Sequence, residues 1–128
     1  MIEQPTSDQK RSNVVKVLHW GDEPTRIMCL VGSSRLQNDF INAAKAFTIR
    51  GYIVLTPDVY TSTTSDGLNV DDREILEEIS ERKIQMSDVV FVVNPNNKIP
   101  ESVHRQIKYA KSLGKEIRYL EMPHGTNP

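Results

Sequence analysis

A short polar turn, Gly32-Ser33-Ser34-Arg35, follows the apolar run Ile27–Val31 and offers the clearest binding chemistry in the sequence. If a helix opens here, the amides of Ser33, Ser34 and Arg35 form a small anion cradle, and Gly32 allows the tight turn. Arg35 adds a guanidinium that can make a forked contact to a phosphate or carboxylate. The pattern is neither the dinucleotide-binding glycine motif nor a Walker loop. The alternative is an ordinary serine helix cap with Arg35 in solvent.

A second polar loop, Pro57–Val70, follows the apolar run Tyr52–Leu55 and carries Asp58, Tyr60 and several hydroxyl side chains. Loops of this length in compact domains usually have a function or lack order. Tyr60 either stacks on a base or sugar or is simply an exposed side chain. The loop is therefore a candidate part of a binding site.

A third loop, Asn94–Glu101, follows the run Val89–Val93 and leads into a helix start. One interpretation is that Asn94 contacts a ligand and that Glu101 or Ser102 reaches its sugar or phosphate. Gln106, one turn further along, would point near the same place. The alternative is that Pro100, Glu101 and Ser102 are ordinary helix-start residues.

The elements that must position these loops alternate along the chain. The apolar runs predict strands at 27–31, 52–55, 89–93 and 117–120, and amphipathic spacing predicts helices at 38–50, at 71–86 and through Val103, Ile107, Ala110 and Leu113. Strand-helix-strand units require parallel strands joined by right-handed crossovers. The pattern predicts an α/β fold with a mostly parallel sheet of four or five strands. A fifth strand, Val14–Leu18, would pair antiparallel to 27–31.

Ligands of such sheets bind outside the carboxyl ends of the strands, where the three loops would meet. The length of 128 residues predicts one domain, spanning 14–121, with polar tails at 1–13 and 122–128. A net charge of −1 gives no electrostatic reason to expect a nucleic acid polymer or a membrane as partner.

The single cysteine, Cys29, lies in an apolar run, which predicts a buried reduced thiol and a reducing compartment. Residues 1–13 lack the pattern of a secretory signal and no run is long enough to span a membrane, so the sequence predicts a cytoplasmic protein. The three histidines, His19, His104 and His124, have no metal-ligand spacing. No metal or cofactor is expected, and His104 is interpreted as a surface residue.

Three stretches together, Ile27–Arg35, Ser87–Asn94 and Glu101–Lys115, resemble the nucleoside 2-deoxyribosyltransferase family and its nucleotide N-hydrolase relatives. The likeness covers roughly 26–121, and the order of the motifs is more specific than any one of them. It implies a flavodoxin- or Rossmann-like three-layer domain that forms a homodimer. It also implies cleavage of the N-glycosidic bond of a nucleoside or nucleotide, with transfer of the sugar to water or another base.

In that family a glutamate on the third helix attacks the anomeric carbon, and in this sequence its position holds Gln106. A neutral amide is a poor nucleophile, since the step needs a carboxylate. A family aspartate on the preceding helix falls at Ser80. Two hypotheses follow: Glu101 takes over the acidic role in an active enzyme, or the chain keeps a nucleotide pocket without the chemistry. A third, a protein-interaction domain, is also open.

Overall fold

A computed structural model describes residues 25–57 and 68–123 of the chain. Strands and helices alternate along it. In chain order they are β1 (Ile27–Gly32), α1 (Gln37–Ile49), β2 (Ile53–Leu55), α2 (Val70–Met86), β3 (Val89–Val93), a short 3-10 turn (Pro95–Asn97), α3 (Glu101–Ser112) and β4 (Glu116–Tyr119).

The four strands form one parallel sheet in the order β2-β1-β3-β4. The expected three-layer α/β fold of the flavodoxin or Rossmann type is confirmed. The central strands pair with Met28 opposite Val89 and Gly32 opposite Val93. Since each strand returns through a helix, all four carboxyl ends lie at the same edge of the sheet.

The apolar runs form the strands because both faces of the sheet are covered by helices. On one face, Met28, Leu30 and Phe91 pack with Phe40 of α1. The opposite face has its own cluster, which draws on β1, β3, α2 and α3. Its buried members are Cys29, Val31, Ile84, Val90, Val92, Val103, Ile107 and Ala110.

The helix ends follow local chemistry. Asn69 caps α2, its side chain accepting from the Asp72 amide while the Asp72 carboxylate accepts from the Asn69 amide. Gly51 (φ 98°) and Gly114 (φ 74°) follow α1 and α3 in the left-handed conformation, as their places in the sequence predict. Leu113, expected on the apolar face of α3, is instead 42% exposed because it lies at the end of the helix.

The start of α1 differs from the prediction. The helix begins at Gln37 after Leu36, so the amides of Ser33, Ser34 and Arg35 precede the first helical turn instead of opening it. The Leu36 amide donates to the Ser33 carbonyl at 3.0 Å and closes a separate turn.

Gly32 is required for a reason other than the predicted tight turn. It is the last residue of β1, and its φ is not among the positive values. A Cβ here would lie 2.8 Å from the Val93 carbonyl oxygen and 3.2 Å from two ring carbons of Phe40. The absence of a side chain therefore allows α1 and β3 to approach β1 closely.

The predicted pairing of Val14–Leu18 with β1 is wrong. Both edges of β1 are occupied, one by β2 and the other by β3. Residues 14–18 themselves lie outside the described part of the chain.

The connections leave the sheet on different faces on either side of the β1–β3 pair. Helix α1, which joins β1 to β2, packs on one face, and α3, which joins β3 to β4, packs on the other. This reversal creates a crevice at the carboxyl edge. It is the topological place where a ligand site is expected.

Candidate functional site

A groove of about 690 Å³ opens at the carboxyl edge of the sheet, between α2 and α3. Ligand pockets of this size are common in proteins. Its walls come from the β1–α1 loop, the end of β2, and the facing sides of the two helices. The lining residues are Gly32, Ser33, Ser34, Pro57, Arg73, Leu76, Glu77, Ser80, Glu81, Ile84, Pro100, Ser102, Val103, Arg105, Gln106 and Tyr109.

The groove brings together several residues that the sequence singles out. Ser33 and Ser34 line it from the β1–α1 loop, and Ser102 and Gln106 line it from α3. Ser80 lines it from α2, so the two positions at which this sequence departs from the resembled family share one groove. The Gln106 side chain is half-buried and has no hydrogen bond within residues 25–57 and 68–123.

Other predicted site residues are not brought into this groove. Arg35 and Glu101 are exposed and do not line it. Glu101 precedes Gln106 by five residues, which places the two side chains roughly 140° apart around α3. Asp58 and Tyr60 lie outside the described residues, so their predicted roles stay predictions.

The serine turn at the groove is partly occupied by its own hydrogen bonds. The Arg35 amide approaches the Ser33 hydroxyl oxygen at 3.4 Å, and the Leu36 amide donates to the Ser33 carbonyl. The Arg35 amide is thus directed at the turn itself. What this loop presents to the groove is Ser33 and Ser34.

Asn94 has an internal structural role. Its side chain is fully buried, and its amide group donates to the Asn97 side chain at 3.1 Å and to the Glu121 carbonyl at 2.7 Å. Its oxygen accepts from the Glu121 amide at 2.9 Å. Both amide hydrogens and the carbonyl are therefore used within the protein.

Neighbouring residues extend this arrangement. Asn96 and Asn97 have positive φ values of 58° and 59°, and their loop bonds to Glu121 and Met122. We name the residues 94–97 and 121–122 the asparagine clamp. The clamp joins the end of β3 to the chain that follows β4.

Four charged residues of the groove were missed by the sequence analysis. Arg73, Glu77 and Glu81 line it from α2, and Arg105 lines it from α3. The signal was present in helical spacing, because residues 73, 77, 80, 81 and 84 share one face of a helix. The sequence does not show that this face of α2 lies opposite α3, and without that information these side chains look like an ordinary solvated helix surface.

Tyr109 also lines the groove and helps to hold its helices together. Its hydroxyl oxygen accepts a hydrogen bond of 2.6 Å from the Gln85 side chain of α2. On the other side of α2, the Lys83 ammonium donates to the Thr56 carbonyl at 2.8 Å. These contacts fix α2 between α3 and the end of β2.

The Cys29 thiol lies just beneath the groove. Burial raises the pKa of Cys29 to about 12, and the nearby positive charge of Lys83 opposes that rise. The thiol is therefore protonated at neutral pH and is not a nucleophile there.

A cluster of charges occupies the opposite, amino edge of the sheet. Arg26 and Arg118 both donate to the Glu116 carboxylate, with Arg26 at 2.9 Å. These bonds lower the pKa of Glu116 and raise the pKa values of Arg26 and Arg118. The Arg118 guanidinium also donates to the Tyr52 hydroxyl at 3.1 Å. The cluster is remote from the groove.

Within residues 25–57 and 68–123, no group of three or more His, Cys, Asp or Glu side chains is arranged to hold a metal ion. None of the helices in those ranges has the length and apolar character needed to cross a membrane.

No protein-family model matches the chain, and no curated protein matches its sequence.

Proposed function

We propose that the chain binds a nucleoside or nucleotide in the groove between α2 and α3 without cleaving its N-glycosidic bond. One observation carries the proposal. The crevice at the β1–β3 reversal is open, has a volume suited to a small ligand, and brings Ser33, Ser102 and Gln106 to its surface. The resemblance to nucleoside 2-deoxyribosyltransferases supplies the ligand class.

Two of the four charged residues of the groove suit a phosphate. Arg73 and Arg105 line it from different walls, and guanidinium groups bind phosphate through paired hydrogen bonds. Pro100 and Ser102 place the start of α3 at the groove, where the helix dipole is positive. A 5′-phosphate would lie near Arg73, Arg105 and Ser102, with the sugar toward Gln106.

The absence of cleavage follows from chemistry at one position. The nucleophile of the resembled family would fall at Gln106, whose amide cannot form and release a glycosyl ester as a carboxylate does. Glu101 does not line the groove and is poorly placed to substitute for it. The groove thus has binding groups where the resembled enzymes have a reactive one.

A nucleotide panel tests binding. We expect 5′-monophosphates to raise the melting temperature, since a ligand at 100 times its Kd adds about 2.7 kcal/mol of stability. The matching nucleosides should bind more weakly because they lack the phosphate. No shift with any nucleoside or nucleotide would contradict the proposal.

A charge-reversal pair locates the site. Arg105→Glu places a negative charge in the groove, and we expect it to weaken nucleotide binding at least tenfold. Lys108→Glu is the matched control, because Lys108 is exposed on the same helix and does not line the groove. Equal loss in both variants would show that binding occurs elsewhere.

A second candidate function is hydrolysis of the N-glycosidic bond, favoured by Glu77 and Glu81 in the same groove. A carboxylate can activate water for attack on the anomeric carbon. Chromatography would detect the free base released from a nucleotide. Loss of that release in Glu77→Gln or Glu81→Gln would favour hydrolysis over binding alone.

Gln106→Glu tests whether the groove retains the geometry of the resembled enzymes. If it does, the variant should gain release of free base from a nucleotide that the natural chain binds without cleaving. Gln106→Leu, which is similar in size and has no carboxylate, is the control. Nucleotide binding without any gain in Gln106→Glu would show that the ligand lies differently here.

We further propose, from the resemblance and the single buried thiol, that the protein is a homodimer of the cytoplasm. If light scattering gives the mass of a monomer at all micromolar concentrations tested, the proposal of a homodimer is contradicted. Detection of the protein in a secreted or membrane fraction would contradict the proposed cytoplasmic location.

A further inference from the structure

The outer side of α2 carries a stripe of exposed apolar side chains. Ile75, Ile79 and Met86 are 57%, 39% and 61% exposed. Their spacing of four and seven residues places them within about 40° of one another around the helix axis. The charged residues of α2 that line the groove lie on the opposite side of the helix. The stripe is therefore a surface separate from the groove.

A fourth exposed apolar residue, Ile53, lies on the same face of the sheet. It is the first residue of the edge strand β2, is 51% exposed, and pairs in register with Ile27. Since Met28 packs on the α1 face and side chains alternate along a strand, Ile27 and Ile53 face the side that α2 covers. Asp88, two residues after Met86, donates its amide to the Ile27 carbonyl at 2.7 Å. Met86 and Ile53 thus both lie at the amino edge of the sheet.

Apolar side chains grouped in this way indicate a face that another group covers. Single exposed apolar residues are ordinary on a protein surface, whereas a contiguous group marks a contact. We define the four residues Ile53, Ile75, Ile79 and Met86 as the flank patch. Its occupant is either a second copy of the chain or a part of this chain outside the described residues.

The point at which the described chain begins favours a part of the same chain. The Ile53 amide donates to the Arg26 carbonyl at 3.0 Å, so the chain that precedes Arg26 starts beside the flank patch. The most apolar stretch of residues 1–24 is Val14–Trp20, in which five of seven residues are Val, Leu or Trp. The residues that follow it, Gly21-Asp22-Glu23-Pro24, have the composition of a turn.

The length of this stretch matches the patch. Along α2, Ile75 and Met86 are separated by about 16 Å. Seven extended residues reach up to roughly 23 Å, and the residues from Trp20 to Thr25 provide the return past the amino edge of the sheet. The stretch Val14–Trp20 is therefore long enough to cover the whole stripe on α2.

Charge argues against a second copy as the occupant. The helix α2 has a net charge of −3, from six acidic and three basic side chains. A two-fold contact through the flank patch would place two such helices side by side, and like charges repel. The stretch Val14–Trp20 instead carries one formal charge at neutral pH, that of Lys16, which is opposite in sign to the net charge of α2.

We propose that Val14–Trp20 packs on the flank patch and covers it within the same chain. The occupant is an apolar segment with one basic side chain, joined to β1 through the turn at Gly21-Asp22-Glu23-Pro24. This contact shields the outer side of α2 from solvent and from other molecules. The proposal does not depend on the proposed function, because it involves neither the groove nor a ligand.

Trp20 gives a direct test of this contact. It is the one tryptophan of the chain, so tryptophan fluorescence reports on this segment alone. In the natural full-length chain we expect the emission maximum at a shorter wavelength than in urea. We also expect an acrylamide quenching constant at least threefold lower than that of the urea-unfolded chain. Equal quenching in the folded and unfolded chains would overturn the proposal, because Trp20 would then lie in solvent.

Paired substitutions locate the contact. Ile79→Lys combined with Met86→Lys places two charges in the flank patch, and we expect the quenching constant of Trp20 to rise at least twofold. The matched control is Ile41→Lys combined with Ile49→Lys, at positions 63% and 65% exposed on α1, which packs on the opposite face of the sheet. The control should leave the quenching unchanged. Since all four positions are exposed, circular dichroism should show a folded chain in both variants. An equal rise in both variants, or no rise in the patch variant, would show that Trp20 packs elsewhere and would overturn the proposal.

Light scattering separates the two occupants. If Val14–Trp20 covers the flank patch, Ile79→Lys combined with Met86→Lys should leave the mass in solution unchanged. A dimer of the natural chain that becomes a monomer in this variant would assign the patch to a second copy and overturn the proposal.

Discussion

The groove and the asparagine clamp lie at the same edge of the sheet and use similar polar residues in opposite ways. In the clamp, the Asn94 side chain is fully buried and each of its hydrogen-bonding atoms has a partner within the chain. In the groove, Gln106 is half-buried and has no such partner in the described ranges. The two side chains carry the same amide group, so residue type alone does not separate structure from binding.

This difference indicates which polar side chains at this edge are available to bind a ligand. An amide whose donors and acceptor are all used internally contributes to stability and has nothing left for a ligand. An amide facing an open groove contributes little to stability and is available for binding. Variants in the two regions should therefore affect different measurements.

The largest expected effect is in the clamp. Asn94→Ala removes three hydrogen bonds from a buried position, and we expect it to lower the free energy of unfolding by about 3 kcal/mol. Urea denaturation measures this loss. Gln106→Ala is the control and should change stability by less than about 0.5 kcal/mol. Similar losses of stability in Asn94→Ala and Gln106→Ala would show that the clamp and the groove do not differ in this way.

The next largest effect is expected from substitution of Gly32, the last residue of β1. Gly32→Ala should cost about 2 kcal/mol because its Cβ would crowd the Val93 carbonyl and the Phe40 ring. Gly114→Ala meets no atom within 4 Å and is strained only by its positive φ, so it should cost about 1 kcal/mol. Thermal or urea unfolding compares the two. A harmless Gly32→Ala would contradict the packing explanation.

The thiol beneath the groove predicts a dependence on alkaline pH. Because the pKa of Cys29 is raised to about 12 from an ordinary value near 9, the folded chain keeps a proton that the unfolded chain loses. As the pH rises from 9 towards 12, this group should therefore lower the free energy of unfolding. Other groups also titrate in this range, so the measurement is the difference in slope between the natural chain and Cys29→Ala. Equal slopes in the natural chain and in Cys29→Ala would contradict the raised pKa of Cys29.

The smallest effect is expected at the amino edge, away from both regions. Glu116→Gln removes exposed ion pairs with Arg26 and Arg118 and should cost less than about 1 kcal/mol, with a smaller loss at high salt. The pKa of Glu116 is lowered, so its contribution is present above its ordinary pKa and is lost as the pH falls through the lowered value. Urea unfolding at neutral and acid pH tests the sign.

The strands and helices could be predicted because burial on both faces requires continuous apolar runs. Val89–Val93, buried along its whole length, illustrates this. The reason for Gly32 could not be predicted, since the approach of the Phe40 ring depends on how α1 packs. The start of α1 was also predicted wrongly. Serine is a common helix-capping residue, but Ser33 lies in a separate turn that precedes the helix.

The lining of the candidate groove was predicted in part. Ser33, Ser102 and Gln106 were placed by the rule that loops at the carboxyl ends meet. Asn94 obeys the same rule, but its partner Glu121 is 27 residues away, a distance that no local pattern spans. The charged residues of α2 that line the groove could not be predicted without knowing that this side of α2 faces α3.

The asparagine clamp also sets an order of events during synthesis. Residues 121 and 122 bond to the loop after β3, although they follow β4 in the chain. Until they have left the ribosome, Asn94 has no partners for most of its hydrogen-bonding groups, and burying it would cost free energy. The part of the carboxyl edge that holds Asn94 therefore completes only after residues 121 and 122 have emerged.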